Sequence, residues 1–179
     1  MTRHVALLRG VNVSGHARVA MAELRKLAAD LDLAGPCTLL QSGNLVFDSG
    51  LPAARLESAL ESAVAERFGH QVDVMVRTAA DWVAAIAANP FADAARHHPN
   101  RLVLFALMAA PKAAAVAALQ KAIVGPEAVE LHGRNAYITY PDGIGRSKLT
   151  SALIEARLEA RGTGRNWNTV LKLADLLQA

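Results

Sequence analysis

The side chains in this 179-residue chain best suited to holding an anion sit in glycine-bearing connections. Leu8-Arg9-Gly10-Val11-Asn12-Val13-Ser14-Gly15 lies between a strand-like run and a helical one. Such a loop can turn backbone N–H groups toward an anion. Arg9 adds a guanidinium, and Asn12 an amide that both donates and accepts. The spacing is neither a dinucleotide fingerprint nor a P-loop, and the glycines serve equally well to let an irregular connection reach positive φ. Leu40-Gln41-Ser42-Gly43-Asn44 has the composition of an ordinary turn. Tyr140-Pro141-Asp142-Gly143-Ile144-Gly145-Arg146-Ser147-Lys148-Leu149 leads into a helical pattern that Ser147 would cap. Arg146 and Lys148 then stand beside the positive end of a helix, where cations are unfavourable unless an anion compensates. A nucleophilic Ser147/Lys148 pair is disfavoured, because adjacent helical residues do not face each other. In Gly164-Arg165-Asn166-Trp167-Asn168-Thr169, Asn166 or Asn168 caps a final helix and Trp167 packs in the core, while Arg165 is either a ligand contact or merely exposed.

Periodicity supplies the elements that position these residues. Residues 4–9 are apolar on both faces, as in a central strand. Met21, Leu24, Leu27, Ala28 and Leu31 repeat at helical spacing, and Gly35-Pro36 stops that helix. Residues 37–41 and 44–48 read as a hairpin through Ser42-Gly43. Leu56, Leu60, Val64 and Phe68 mark a second helix, and Val72 to Arg77 a fourth strand. The order β-α-β-β-α-β is ferredoxin-like. After a short helix carrying Trp82 and a connector at 90–100, the pattern restarts. A strand at 101–107, a helix opened by Pro111, a hairpin around Gly133-Arg134 and a helix from about Ser147 to Ala160 follow. A terminal helix stands where a fourth strand is expected. The predicted fold is therefore α+β, a tandem duplication of ferredoxin-like halves, divided as 1–89 and 90–179. In that topology strand 44–48 runs beside strand 4–9, so Arg9, Asn12, Gln41, Ser42 and Asn44 converge. With no acidic member, the cluster suits a phosphate or carboxylate better than a metal, or it is an internal polar network that fixes the loops. Lys148, Arg165 and Asn168 form a second candidate ligand-binding group.

Composition limits what these clusters serve. Apolar residues make up 53% of the chain and the formal charge is +3, which excludes a disordered chain. The longest strongly apolar stretch, Leu102 to Ala110, falls far short of the roughly 20 residues of a membrane helix. The start lacks a signal peptide's apolar region. A cytoplasmic globular protein without a membrane partner is expected. Cys37 is the only cysteine and reads as a buried small hydrophobe. The six histidines show no metal-ligand spacing, so neither metal nor cofactor is expected. Residues 1–131 hold 12 basic and 12 acidic side chains, whereas 132–179 hold seven basic and four acidic, so the excess lies near the C-terminus. Three readings follow: a small anionic, phosphate-bearing ligand in the Gly-rich loops, a structural or interaction module without catalysis, or weak non-specific nucleic-acid binding. Catalytic residues and oligomeric state are not legible.

Ala6-Leu7-Leu8-Arg9-Gly10-Val11-Asn12-Val13, Met21-Ala22-Glu23-Leu24-Arg25, Leu40-Gln41-Ser42-Gly43-Asn44-Leu45-Val46-Phe47 and Arg165-Asn166-Trp167-Asn168-Thr169-Val170 resemble the bacterial family catalogued as domain of unknown function 1697. The resemblance extends from about residue 3 to 177. It departs at Val11, where the family tends to have Ile, at Ser14 for Gly, and at Arg18 for Lys. It implies a duplicated ferredoxin-like fold and supplies no activity.

Overall fold

The computed structural model describes residues 1–179 and divides into two compact units. Unit 1 comprises Met1–Val83 together with Leu173–Ala179, and unit 2 comprises Ala84–Lys172. Unit 1 contains β1 (Thr2–Leu8), α1 (Met21–Asp30), β2 (Ala34–Leu39), β3 (Asn44–Ser49), α2 (Ala53–Phe68) and β4 (Val74–Thr78), followed by α3 (Ala79–Ala87), which ends in unit 2. Its sheet is antiparallel in the order β2-β3-β1-β4. Unit 2 continues with α4 (Ala92–His97), β5 (Leu102–Leu107), α5 (Ala113–Ala122), β6 (Ala128–His132), β7 (Asn135–Thr139), α6 (Ser151–Leu158) and β8 (Gly162–Asn166). Helix α7 (Trp167–Gln178) begins in unit 2 and ends in unit 1. The second sheet repeats the first as β6-β7-β5-β8. Each unit is a four-stranded ferredoxin-like sheet within an α+β chain.

Each sheet packs its own helices on one face. In unit 1, Ala6, Leu8, Leu45, Phe47, Val74 and Val76 join Leu24, Leu27, Leu56, Leu60 and Val64 of α1 and α2. In unit 2, Val103, Phe105, Leu107, Ala136 and Ile138 join Leu119 of α5 and Ile154 and Leu158 of α6. The central strands are apolar on both sides: Val5 to Leu8 and Leu102 to Leu107 are all buried.

The free edges of the fourth strands are occupied by carboxylates. Glu57 and Glu61, one turn apart on α2, accept hydrogen bonds from the backbone N–H groups of Val76 and Val74, each at 2.9 Å. Glu155 of α6 does the same for the N–H of Gly162, at 2.8 Å. The fourth strands pass directly into helices. Thr78 and Asp81 exchange reciprocal cap bonds at the start of α3, and Asn166 Oδ1 accepts from the N–H of Thr169 at the start of α7.

Several sequence expectations are corrected. The fourth strand of the second half is present as β8, and α7 follows it rather than replacing it. Gly162 and Gly164 hid β8, because glycine is a poor strand former. The fold nonetheless requires Gly162: an added Cβ would stand 2.5 Å from Phe105 Cε1 and 2.6 Å from the Ala106 carbonyl. The helix expected from Ser147 starts at Ser151 and is capped by Thr150, whose hydroxyl accepts from the N–H of Leu153. A 3-10 turn at Ile144–Arg146 precedes it. Gly35-Pro36 does not stop α1 but lies in β2, where the pairing with β3 is irregular between Ala34 and Cys37. Cys37 is half-buried there rather than buried. The connector at 90–100 contains α4.

His4, on the helix-facing side of β1, is 2% exposed, stacks on Phe47 at 5.7 Å and has no partner for Nδ1. Burial holds its pKa below the ordinary 6.5, against the weaker opposing effects of the Thr2 backbone, Asp48 and Asp81. The unfolded chain therefore binds the proton first. His4's contribution to stability is intact above pH 6.5 and is lost as pH falls from 6.5 toward the folded value. Urea midpoints at pH 7.5 and 5.5 will show the native chain losing stability at the lower pH, by at most about 1.4 kcal/mol per pH unit from this group. His4→Phe, which keeps a ring against Phe47, will lose less. Gly162→Ala will lower the urea midpoint at any pH, because overpacking costs about 1–3 kcal/mol.

Candidate functional site

Antiparallel pairing brings the first candidate cluster together. Leu7 stands opposite Asn44, and the Leu8 N–H donates to the Gly43 carbonyl at 2.8 Å. Arg9 and Asn44 thus meet at one end of the sheet, as the strand order requires. The loop after β1 is unusually contorted. Gly10, Asn12, Ser14, Gly15 and Ala17 all have positive φ, a region that costs a non-glycine residue about 1–2 kcal/mol. Asn12 holds it in place. Its Nδ2 donates to the carbonyls of Val19 at 2.9 Å and Gln41 at 2.7 Å, and its Oδ1 accepts from the Val19 N–H at 2.9 Å. The loop is thereby tied both to its own far end and to the β2–β3 hairpin.

The hairpin has an equivalent lock. Asn44 is fully buried, and its Nδ2 donates to the Leu39 carbonyl at 2.8 Å and to Ser42 Oγ at 3.0 Å. Gly43 has φ +77°, and a Cβ there would meet Val11 Cγ2 at 2.6 Å and Leu8 Cβ at 2.8 Å. Glycine is demanded here by both conformation and space. Both Nδ2 protons of Asn12 and of Asn44 are therefore committed within the chain. Arg9 is half-buried and pairs with Asp73 at 3.6 Å. The side chains of Gln41 and Ser42 are exposed.

The second candidate group does not come together as a unit. Arg165 lies in β8, 6% exposed, and donates to Thr163 Oγ1 at 2.7 Å and to the Gly164 carbonyl at 2.8 Å. Burial pulls its pKa down to about 10. Asn168 is exposed on the first turn of α7, and the capping falls to Asn166. Lys148 instead lines a cleft of about 560 Å3 in unit 2, together with Arg101, Arg146, Glu127 and Asp142.

This cleft is built by the loops after α5 and after β7. Buried Tyr140 donates from its hydroxyl to the Leu149 carbonyl at 3.1 Å, and burial, with a smaller effect of the Glu127 charge, raises its pKa to about 12. The Ser147 hydroxyl donates to the Glu127 carboxylate and accepts from the Leu149 N–H. Arg101 reaches across to the Pro141 carbonyl at 2.6 Å. These bonds fix the segment that carries Arg146 and Lys148. Both cations are exposed, and neither side chain is engaged in an ion pair or hydrogen bond. They stand before the Thr150 cap of α6, Arg146 at the end of the 3-10 turn and Lys148 on the loop after it. Sequence reasoning missed Arg101 and Glu127 as neighbours of Lys148, because they lie about 20 to 50 residues away and no local motif links them.

The family described as "Protein of unknown function (DUF1697)" matches residues 1–137. The chain belongs to the DUF1697 family. The match is shorter than the span of residues 3–177 suggested by the sequence motifs, so the cluster around Asn12 and Asn44 lies inside it and Arg146, Lys148, Arg165 and Asn168 lie outside. Among solved structures, the conserved bacterial protein SP0830 from Streptococcus pneumoniae is similar to this DUF1697 chain, with a TM-score of 0.78, 23% identity and 98% of each chain covered. At that identity the likeness is one of fold. No curated protein matches. No helix of this DUF1697 protein is long and apolar enough to cross a membrane.

The two kinds of residue in the first cluster separate by stability. Asn44→Ala removes a fully buried amide and its hydrogen bonds to the Leu39 carbonyl and Ser42 Oγ, and will cost about 1–3 kcal/mol in urea denaturation. Arg9→Ala, at a half-exposed pair, will cost less than about 1 kcal/mol.

Proposed function

We propose that this DUF1697 protein binds a small anion, a phosphate or carboxylate, in the cleft of unit 2, with Arg146 and Lys148 as its charged contacts. The observation that carries this reading is that these two cations line the cleft without an intramolecular partner. Several cations elsewhere are paired, Arg3 with Asp48, Arg9 with Asp73 and Arg67 with Asp30. Others, such as Arg55 and Lys172, are exposed and unpaired, and Arg146 and Lys148 differ from these in lining the cleft. Arg101 adds a third positive charge at the same cleft. One of its five N–H groups meets the Pro141 carbonyl, leaving the others for a ligand. Of the two carboxylates, Glu127 is bound to Ser147 and Asp142 is exposed. The balance of three cations and two carboxylates favours an anion.

The Asn12–Asn44 cluster has a structural role in this reading. Its amide donors hold the backbone of two loops, which makes it a support for the end of the sheet rather than a ligand cradle. Nucleic-acid binding, motivated by the basic residues 132–179, is the competing reading for the cations. Salt dependence separates the two, because many phosphate contacts give a steep loss of affinity with salt.

Inorganic phosphate and pyrophosphate will raise the melting temperature in a thermal-shift titration, as any ligand selective for the native state does. The double variant Arg146→Ala/Lys148→Ala will abolish the rise while leaving the unliganded melting temperature nearly unchanged, and Arg9→Ala will retain the rise. A rise lost on Arg9→Ala and kept in the double variant would move the site to the first cluster. No rise with either anion would remove the reading.

A further inference from the structure

The cleft is larger than an isolated oxoanion needs, and part of its lining is apolar. Its volume of about 560 Å3 is that of a small-molecule site. Besides the charged residues it is lined by Ile123, Val124, Leu149 and Leu153. Leu149 belongs to the unit 2 core, and Ile123 and Leu153 pack against that core while remaining partly exposed. These three line the cleft where it adjoins the core. Val124, directly after Ile123, is 78% exposed. A large apolar side chain so exposed beside an apolar wall leaves a surface that water solvates poorly.

We infer that the anion bound here is the head of an amphiphile: a phosphate or carboxylate attached to an apolar chain or ring that lies along Ile123, Val124, Leu149 and Leu153 while Arg146 and Lys148 hold its charge. The inference rests on the anion-binding reading and adds the ligand's second half. Charge sets the orientation, because the cations sit on the exposed 146–148 segment and the apolar side chains on the wall continuous with the core. Apolar burial supplies most of the affinity, because each methylene removed from water contributes appreciably and without direction. A bare oxoanion reaches the cations but leaves the wall wet.

Calorimetric titration with inorganic phosphate and with octyl phosphate, kept below its micelle concentration, tests this. Octyl phosphate will bind at least tenfold more tightly, equivalent to about 1.4 kcal/mol. Val124→Ser, at an exposed position that the fold tolerates, will reduce the octyl phosphate affinity severalfold and leave phosphate affinity unchanged. In the unsubstituted protein, the methyl resonances of Ile123, Leu149 and Leu153 will shift with octyl phosphate and not with phosphate. Equal affinities for the two ligands would overturn the inference and leave the anion reading standing. Binding of neither would overturn both. Tight octyl phosphate binding that is unaffected by Arg146→Ala/Lys148→Ala would overturn the inference, because the head group would then not be held where it requires.

Discussion

The central position of the first strand in each sheet constrains everything else. β1 lies between β3 and β4, and β5 between β7 and β8, so neither has a free edge. β5 is buried along its whole length, from Leu102 to Leu107, and β1 from His4 to Leu8, on both faces. A strand in that position tolerates few polar side chains, because each would need a buried partner. His4 is the buried polar residue of β1, and it leaves a nitrogen unsatisfied. Polar groups are therefore displaced to the strand ends and the connections, where Asn12, Asn44, Ser147 and Glu127 lie.

The outer strands meet the opposite difficulty, since their N–H groups face outward with no neighbouring strand. Unit 1 answers with Glu57 and Glu61, and unit 2 with Glu155. In each case the helix before the fourth strand lends carboxylates to that strand's backbone. Gln120 of α5 similarly donates to the Val129 carbonyl of the edge strand β6. An edge occupied in this way is a poor template for pairing with another chain. Glu57 also faces the buried Arg77 at 4.0 Å, joining edge protection to charge compensation.

Most of the architecture was legible because it is written in periodicity. Leu24, Leu27, Leu56 and Leu60 carry a 3.6-residue period, and residues 4–9 and 101–107 form continuous apolar runs. β8 was not legible, since Gly-Thr-Gly-Arg-Asn has neither alternation nor strand propensity. Its glycines answer to Phe105, nearly 60 residues earlier in the chain. The convergence of Arg9, Asn12 and Asn44 followed from strand order. The commitment of the two amides to backbone partners did not, because turn residues and ligand contacts are drawn from the same amino acids. At the cleft, Lys148 and Arg146 stood out as unbalanced charge. Glu127 and Arg101 did not, because tertiary contact alone brings them to that loop.

The division of α7 bears on the order in which a growing chain acquires its structure. Residues 173–179 belong to unit 1, where the Arg3 guanidinium donates to the Leu176 carbonyl at 3.0 Å and Leu173 and Leu177 are buried. The rest of that unit ends at Val83. A ribosome therefore delivers β1 to β4 long before the segment that completes their unit. At about 5–20 residues per second the interval is on the order of ten seconds. During that time Arg3 lacks its acceptor on α7. The unit begun first in synthesis is the one finished last, and the second unit emerges whole within that interval.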